Sequence, residues 1–127
     1  MGDICNLDFP DNSFDVVFSH NVVEHIPEPG EAVLEMRRVL KPGGIIGIRD
    51  VDWGGILTAP DDRRLARTYA IHYADWENKR GHPNIGRNLG RLLFDAGFSE
   101  VVMSASVETP GAFFALTHCE AIARKPE

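Results

Sequence analysis

Residues 37–50 read RRVLKPGGIIGIRD and join the end of a helix to the start of a strand. The helix is expected to end there because Pro42 has no N–H to donate and disfavours helical geometry at Lys41. The double glycine that follows turns the chain. The apolar run IIGIRDV at 45–51 then predicts a buried strand.

The segment before this junction supplies the other two parts of a crossover unit. FDVVFSH at 14–20 has the contiguous apolar run that is typical of a strand covered on both faces. PGEAVLEMRRVL at 29–40 places Val33, Met36 and Leu40 on one face of a helix. Strand, helix and strand with short connections predict an α/β fold with a parallel sheet and a right-handed crossover.

Two more helices and a second pair of strands are expected downstream. Pro60 and two aspartates start a helix whose apolar stripe is Leu65, Tyr69, His72 and Trp76. The remaining predictions are a helix within NIGRNLGRLLFDAGF at 84–98 with a glycine stop at Gly97, a strand at 101–107, a turn at 109–111, and a strand at 112–123 for which a helix stays an alternative.

Composition sets the class of protein. The 127 residues suffice for a single domain, residues 1–127, and 43% hydrophobic with 25% charged residues is ordinary for a globular protein. A net charge of −6 argues against binding of nucleic acid. No apolar run approaches membrane-spanning length, and Cys5 and Cys119 have no metal-binding spacing, so a cytoplasmic protein with free thiols is expected.

The order of four features, an early aspartate, FPDNSFDVV, EHIP and RVLKPGG, resembles the class I S-adenosylmethionine-dependent methyltransferases. The likeness is strongest to the branch that contains ubiquinone and menaquinone biosynthesis enzymes. It extends over 2–52 and, more weakly, over AGFSEVVMSASV. The resemblance implies a partial Rossmann-like sheet that corresponds to the C-terminal half of such an enzyme, without its N-terminal βαβ half.

The resemblance also implies a donor site. In this family S-adenosylmethionine lies across the carboxyl ends of a parallel sheet, at its switch point. Asp3 matches the carboxylate that accepts from the adenine amino group, and Ile4 matches the residue whose backbone N–H meets the adenine ring. Ser19 and His20 match positions that line the methionine part of the donor.

The family's glycine-rich loop and ribose-binding acid would lie upstream of Gly2, and KPGG and WGG are not substitutes because neither is GxGxxG. Two lost hydrogen bonds to a charged acceptor cost roughly 3 to 6 kcal/mol. This weakens donor affinity by about 10² to 10⁴. The chain alone is therefore expected to bind the donor weakly or not at all, and to be inactive.

An enzyme that transfers a methyl group mainly has to position the donor and the acceptor. It needs a base only if the acceptor loses a proton in the reaction. His25 in EHIP is the candidate base; alternatively, Glu24 and His25 only fix the loop by hydrogen bonds. Asp52 and Trp53 follow the second strand where an acceptor would bind; they either select the substrate or cap the loop and cover the edge of the core.

Two further patterns have competing interpretations. Tyr69 and Tyr73 lie on the aromatic stripe, which forms either an acceptor pocket or simple packing of a lid. HNVVEH at 20–25 has HxxxEH spacing, which fits neither HExxH nor HxxEH, so no metal is expected.

Three functions remain open: a methyltransferase fragment acting on an unknown small molecule when complete, a non-catalytic homodimeric remnant or binding module, and an enzyme that is active through assembly with another chain. In the family's strand order the strand at 14–20 would pair with an upstream strand. Without that neighbour it becomes an apolar edge that invites pairing with a second copy. A homodimer through 14–20, or a partner supplying the missing half, is therefore expected.

Overall fold

The computed structural model describes residues 2–59, 62–109 and 114–127. Its elements, in chain order, are β1 (Phe14–His20), a short 3₁₀ turn (Val23–His25), α1 (Pro29–Val39), β2 (Leu40–Thr58), α2 (Arg63–Asn78), α3 (Ile85–Asp95), β3 (Ser99–Glu108) and β4 (Phe114–Arg124). The predicted strand–helix–strand unit is confirmed, because β1 and β2 pair in parallel on either side of α1.

The strands form one mixed sheet in the order β1-β2-β4-β3. β4 pairs antiparallel with both β2 and β3. The strand interpretation of the last segment is therefore confirmed over Phe114–Arg124, and the helix alternative is wrong. The predicted turn at 109–111 lies, beyond Thr109, outside the described residues.

The hydrophobic core lies on one face of this sheet. Helices α1 and α3 cover that face, where Ile46 and Ile48 of β2 pair with Ala123 and Ala121 of β4. These four side chains are fully or almost fully buried. Gly86 lets α3 approach closely, because a Cβ there would lie 3.0 Å from the main chain of β2.

No described helix covers the opposite face. Val16 and Phe18 of β1, Ile122 of β4 and Val102 of β3 are between 56 and 66% exposed there. The expectation that both faces of β1 are covered is therefore not met by the described residues. As expected, β1 is an edge strand of this sheet.

The strand β2 is much longer than the sequence pattern suggested. It begins directly after α1 at Leu40 and continues through the WGG segment to Thr58. The extension exists because β4 pairs with it from Ile45 to Thr58, with an irregularity between Asp52 and Leu57.

The ends of the helices follow local chemistry. The Asp62 side chain accepts from the backbone N–H of Arg64 and caps α2. At the end of α3, Gly97 has φ +82°, and Phe98 donates to the carbonyl of Leu93, which confirms the predicted glycine stop. No helix among the described residues is long and apolar enough to cross a membrane.

Candidate functional site

Polar and aromatic side chains meet where β1 ends and its parallel pairing with β2 stops, at His20 and Arg49. The 3₁₀ turn comes directly after β1. On β2 the residues concerned are Asp50, Asp52 and Trp53, and α2 packs against this region through Trp76, which contacts Trp53. The carboxyl ends of parallel strands are the place where α/β proteins bind ligands. This edge is therefore the candidate site.

A buried pair of carboxyl groups forms its floor. Glu24 is 3% exposed and Asp50 is fully buried, and Asp50 Oδ1 accepts from the backbone N–H of Glu24 at 3.1 Å. Glu24 Oε2 and Asp50 Oδ2 have no hydrogen-bond partner among the described residues. Burial, together with the nearby Asp50 charge, raises the pKa of Glu24 to about 7. Burial likewise raises the pKa of Asp50.

His25 stands between this floor and solvent. Its Nε2 lies 3.3 Å from Glu24 Oε1, and its side chain is 55% exposed. The ring stacks on Trp76 of α2, with ring centroids 5.1 Å apart and planes 12° apart. The imidazole is therefore fixed by a carboxylate and an indole while it still faces solvent.

Three aromatic rings continue the wall of the site. Trp53, His72 and Trp76 lie with ring centroids 4.9 to 5.2 Å apart, in tilted and edge-to-face arrangements. A cleft of about 170 Å³ opens beside them. Its lining residues are His25, His72, Asp75, Trp76 and Lys79.

Helix α2 acts as a lid rather than as part of the core. None of its residues is buried, and Tyr69 and Tyr73 are only half-buried. Tyr73 accepts a hydrogen bond from the side-chain amide of Asn84, whose Oδ1 accepts from the backbone N–H of Gly54. The predicted substrate residue Tyr73 is thereby tied to the segment that follows Trp53.

Asp52 is held away from the cleft by an ion pair. It is 6% exposed, and Arg87 of α3 reaches both of its carboxylate oxygens through Nε at 2.9 and 3.1 Å. Trp53, the next residue, donates its backbone N–H to the carbonyl of Pro83. These contacts join the end of β2 to the start of α3.

The predicted donor residues lie in three different surroundings. Asp3 is exposed, and its Oδ1 accepts from the backbone N–H of Cys5. Ile4 packs partly against the core. Ser19 is 6% exposed on the helix-covered face, and its Oγ has no partner among the described residues. His20 is on the opposite face, where its Nε2 lies 2.6 Å from Arg49 Nη1. The side chains of Ser19 and His20 therefore point to opposite sides of the sheet.

The site contains groups that sequence reasoning missed. Arg87 and Asn84 escape sequence reasoning because their partners are distant along the chain: Asp52 is 35 positions from Arg87, and Gly54 and Tyr73 are 30 and 11 positions from Asn84. Sequence reasoning assigns no role to Asp50, although the period of two along β2 puts it on the same face as the buried Ile46 and Ile48. Among the described residues no group of three or more His, Cys, Asp or Glu side chains is arranged to hold a metal.

The fold and the site define a Rossmann-like methyltransferase sheet, and comparisons with known proteins agree. The methyltransferase-domain family matches residues 1–48. An uncharacterized methyltransferase from Schizosaccharomyces pombe is 44% identical over 110 residues, which is 86% of this chain and 39% of that protein. The chain spans well under half the length of the curated relatives that it matches first.

Solved structures show the same fold. A SAM-dependent methyltransferase from Methanosarcina mazei superposes with a TM-score of 0.66 at 17% identity, over 98% of this chain and 65% of that one. Phosphoethanolamine N-methyltransferase 2 from Haemonchus contortus, in complex with S-adenosyl-L-methionine, has a TM-score of 0.67 at 16% identity, over 98% of this chain and 36% of that one. By its matched residues, its methyltransferase relatives and its fold, the chain is similar to the class I S-adenosylmethionine-dependent methyltransferases.

Proposed function

We propose that this chain forms the acceptor side and part of the donor site of a methyltransferase that acts on a small molecule. The observation that carries the proposal is the convergence, at the carboxyl ends of β1 and β2, of an oriented imidazole, an aromatic wall and an open cleft. S-Adenosylmethionine, when bound, supplies a methyl group on a sulfonium sulfur. The protein then needs to position two molecules and to accept a proton.

The residues at this edge fit a donor in part. The buried hydroxyl of Ser19 has no partner among the described residues, so a polar group at the end of β1 would satisfy it. Asp3 keeps an exposed carboxylate that can accept from an amino group. Together with Ile4 and His20 these are the residues that we propose for the donor.

On the acceptor side, His25 is the proposed base, because its ring is fixed and borders the cleft. Trp53 supports the wall of the cleft, because its ring packs on His72 and Trp76, which line it. Tyr69 and Tyr73 are not lining residues of this cleft, and we propose only that they extend the acceptor site along α2. Asp52 contributes indirectly, since its ion pair with Arg87 fixes the backbone from which Trp53 projects.

Donor binding by this chain alone is proposed to be weak. No GxGxxG loop occurs in the 127 residues, and the ribose of the donor would have no acid corresponding to the family's ribose-binding residue. Full activity then requires those groups from a further polypeptide segment or from another chain. Membership of the ubiquinone-like branch stays a prediction.

Titration of the ¹⁵N-labelled chain with S-adenosylhomocysteine, followed by NMR, tests this proposal. We expect fast-exchange shift changes with a millimolar dissociation constant, concentrated at Ile4, Ser19 and His20. Asp3→Asn should weaken these changes, while Asp95→Asn, at the distant end of α3, should leave them unaltered. The absence of shifts at these residues, or shifts scattered over the surface, would refute the donor site. Micromolar binding would refute the proposal that more residues are needed.

A second candidate function, a non-catalytic homodimer, is favoured by the exposed side of β1. Val16 and Phe18 are 60 and 66% exposed on an edge strand, which leaves both unpaired backbone groups and apolar side chains available to a second copy. The mass of one chain is 14.1 kDa, and light scattering after size exclusion should give twice that value. Phe18→Lys should restore the monomer, and a wild-type monomer at all concentrations would rule out this dimer.

A further inference from the structure

We propose that Glu24 is a positioning residue for His25: its buried carboxylate holds the proton on Nε2, keeps Nδ1 directed at the cleft, and takes up the Nε2 proton when Nδ1 accepts one. The inference rests on the proposed function, since it deepens the role of His25 as the base. It assigns to the buried carboxyl a purpose beyond fixing the loop.

The contact itself is the first support. Glu24 Oε1 lies 3.3 Å from His25 Nε2, within ion-pair distance but not in hydrogen-bond geometry, and catalytic contacts of this kind often tighten when a substrate binds. The stacked indole of Trp76 limits rotation of the imidazole. A ring held on one nitrogen by a carboxylate and on one face by an indole presents its other nitrogen in a fixed direction.

The second support is the isolation of the Glu24 carboxyl. Its side chain is 4% exposed, and Oε2 has no hydrogen-bond partner among the described residues. The titratable groups around the pair are Asp50 of β2 beneath Glu24, and His72, Asp75 and Lys79 of α2 around the cleft that His25 borders. Of these, the carboxyl of Asp50 opposes ionisation of Glu24, so His25 is the neighbour with which Glu24 can exchange a proton.

The third support is that the loop does not need the Glu24 side chain. The turn is held through the main chain of this residue, because its N–H donates to Asp50 Oδ1 and its carbonyl accepts from the N–H of His82 at 2.7 Å. A substitution of the side chain leaves both bonds in place. A purely structural role and a role toward His25 can therefore be separated.

The proton balance closes without any other reagent. Before the reaction, Glu24 is ionised and the neutral imidazole carries its proton on Nε2. The acceptor gives a proton to Nδ1, and the Nε2 proton passes to Glu24 Oε1, which leaves a neutral imidazole with its proton on Nδ1 and a neutral carboxyl. Glu24 can take up this proton because burial raises the pKa of its carboxyl to about 7.

The test uses the whole chain without donor or acceptor, so it is independent of methyl transfer. The ¹⁵N resonances of the His25 ring and the ¹³C carboxyl resonance of Glu24 are followed by NMR as the pH is varied. We expect both to report the same two macroscopic steps, as coupled groups do. In Glu24→Gln the His25 curve should lose the step that it shares with Glu24, and in His25→Gln the Glu24 curve should lose the step that it shares with His25 and keep only its coupling to Asp50. Glu31→Gln, an exposed acid of α1, is the control and should keep both steps.

Each outcome decides between the alternatives. A His25 titration curve that is the same in the wild type and in Glu24→Gln would overturn the inference and leave Glu24 with only a role in the loop. Loss of coupling in the two variants would support it, even if the chain proves unable to bind S-adenosylhomocysteine. If His25→Gln does not fold, the Glu24→Gln curve alone still decides.

Discussion

Replacement of Glu24 by glutamine should stabilise the protein at alkaline pH. In the folded protein the carboxyl is buried beside Asp50, which raises its pKa to about 7 from the ordinary 4.5. Between these two pH values the folded protein binds a proton that the unfolded chain has released. Stability therefore falls as the pH rises through this window, and the full cost of ionising Glu24 applies above it.

The size of the effect follows from the same two values. A carboxyl whose pKa rises from 4.5 to about 7 on folding costs about 3 kcal/mol once it is ionised in both states. Glutamine has nearly the same shape and no charge to bury. The difference in the free energy of unfolding, Glu24→Gln minus wild type, should therefore increase by about 3 kcal/mol between about pH 4.5 and about pH 8.

Urea unfolding followed by tryptophan fluorescence measures this difference at a series of pH values. Asp50 contributes its own pH dependence to both proteins, so the difference reports Glu24 together with its coupling to Asp50. The exposed acid Glu31, changed to glutamine, serves as a control and should give a flat difference. A flat difference for Glu24→Gln as well would show that the carboxyl is not buried in solution, and would refute the reasoning.

Two other predictions concern how α3 is held on the sheet. Arg87→Ala should lower the free energy of unfolding by about 1.5 to 3 kcal/mol, because it leaves the buried Asp52 carboxylate without its paired cation. The control Arg91→Ala breaks an exposed ion pair within α3 and should lower it by less than about 1 kcal/mol. If urea unfolding gave the same loss of unfolding free energy for both variants, burial of the Asp52 ion pair would not matter for stability. Gly86→Ala should destabilise by about 1 to 3 kcal/mol because its Cβ meets the main chain of β2 at 3.0 Å, while Gly30→Ala, with nothing within 4 Å, should be neutral or slightly stabilising. A stabilised Gly86→Ala protein would show that α3 is free to move away from the sheet.

Local patterns in the sequence determined most of the elements and the family. The period of hydrophobic residues placed α1, α2 and α3. The end of α1 was predicted only approximately, because the helix ends at Val39 and Pro42 with the two glycines lies inside β2 rather than in a turn before it. The glycine stop at Gly97 was predictable because its positive φ and its hydrogen bonds involve only neighbours within one turn. Signals of this kind are complete within a few residues, so they can be interpreted without a structure.

Only the tertiary structure decided how far β2 extends and which polar groups meet at its end. The strand continues past Asp52 because β4, some 60 positions later, pairs with it. The ion pair of Asp52 with Arg87 joins residues 35 positions apart, and the burial of Glu24 on Asp50 joins residues 26 apart. Such contacts depend on strand register and helix placement, which no single segment encodes. The acidity of a carboxyl is set by these neighbours and by the loss of water, so the unusual chemistry of Glu24 became visible only in the folded chain.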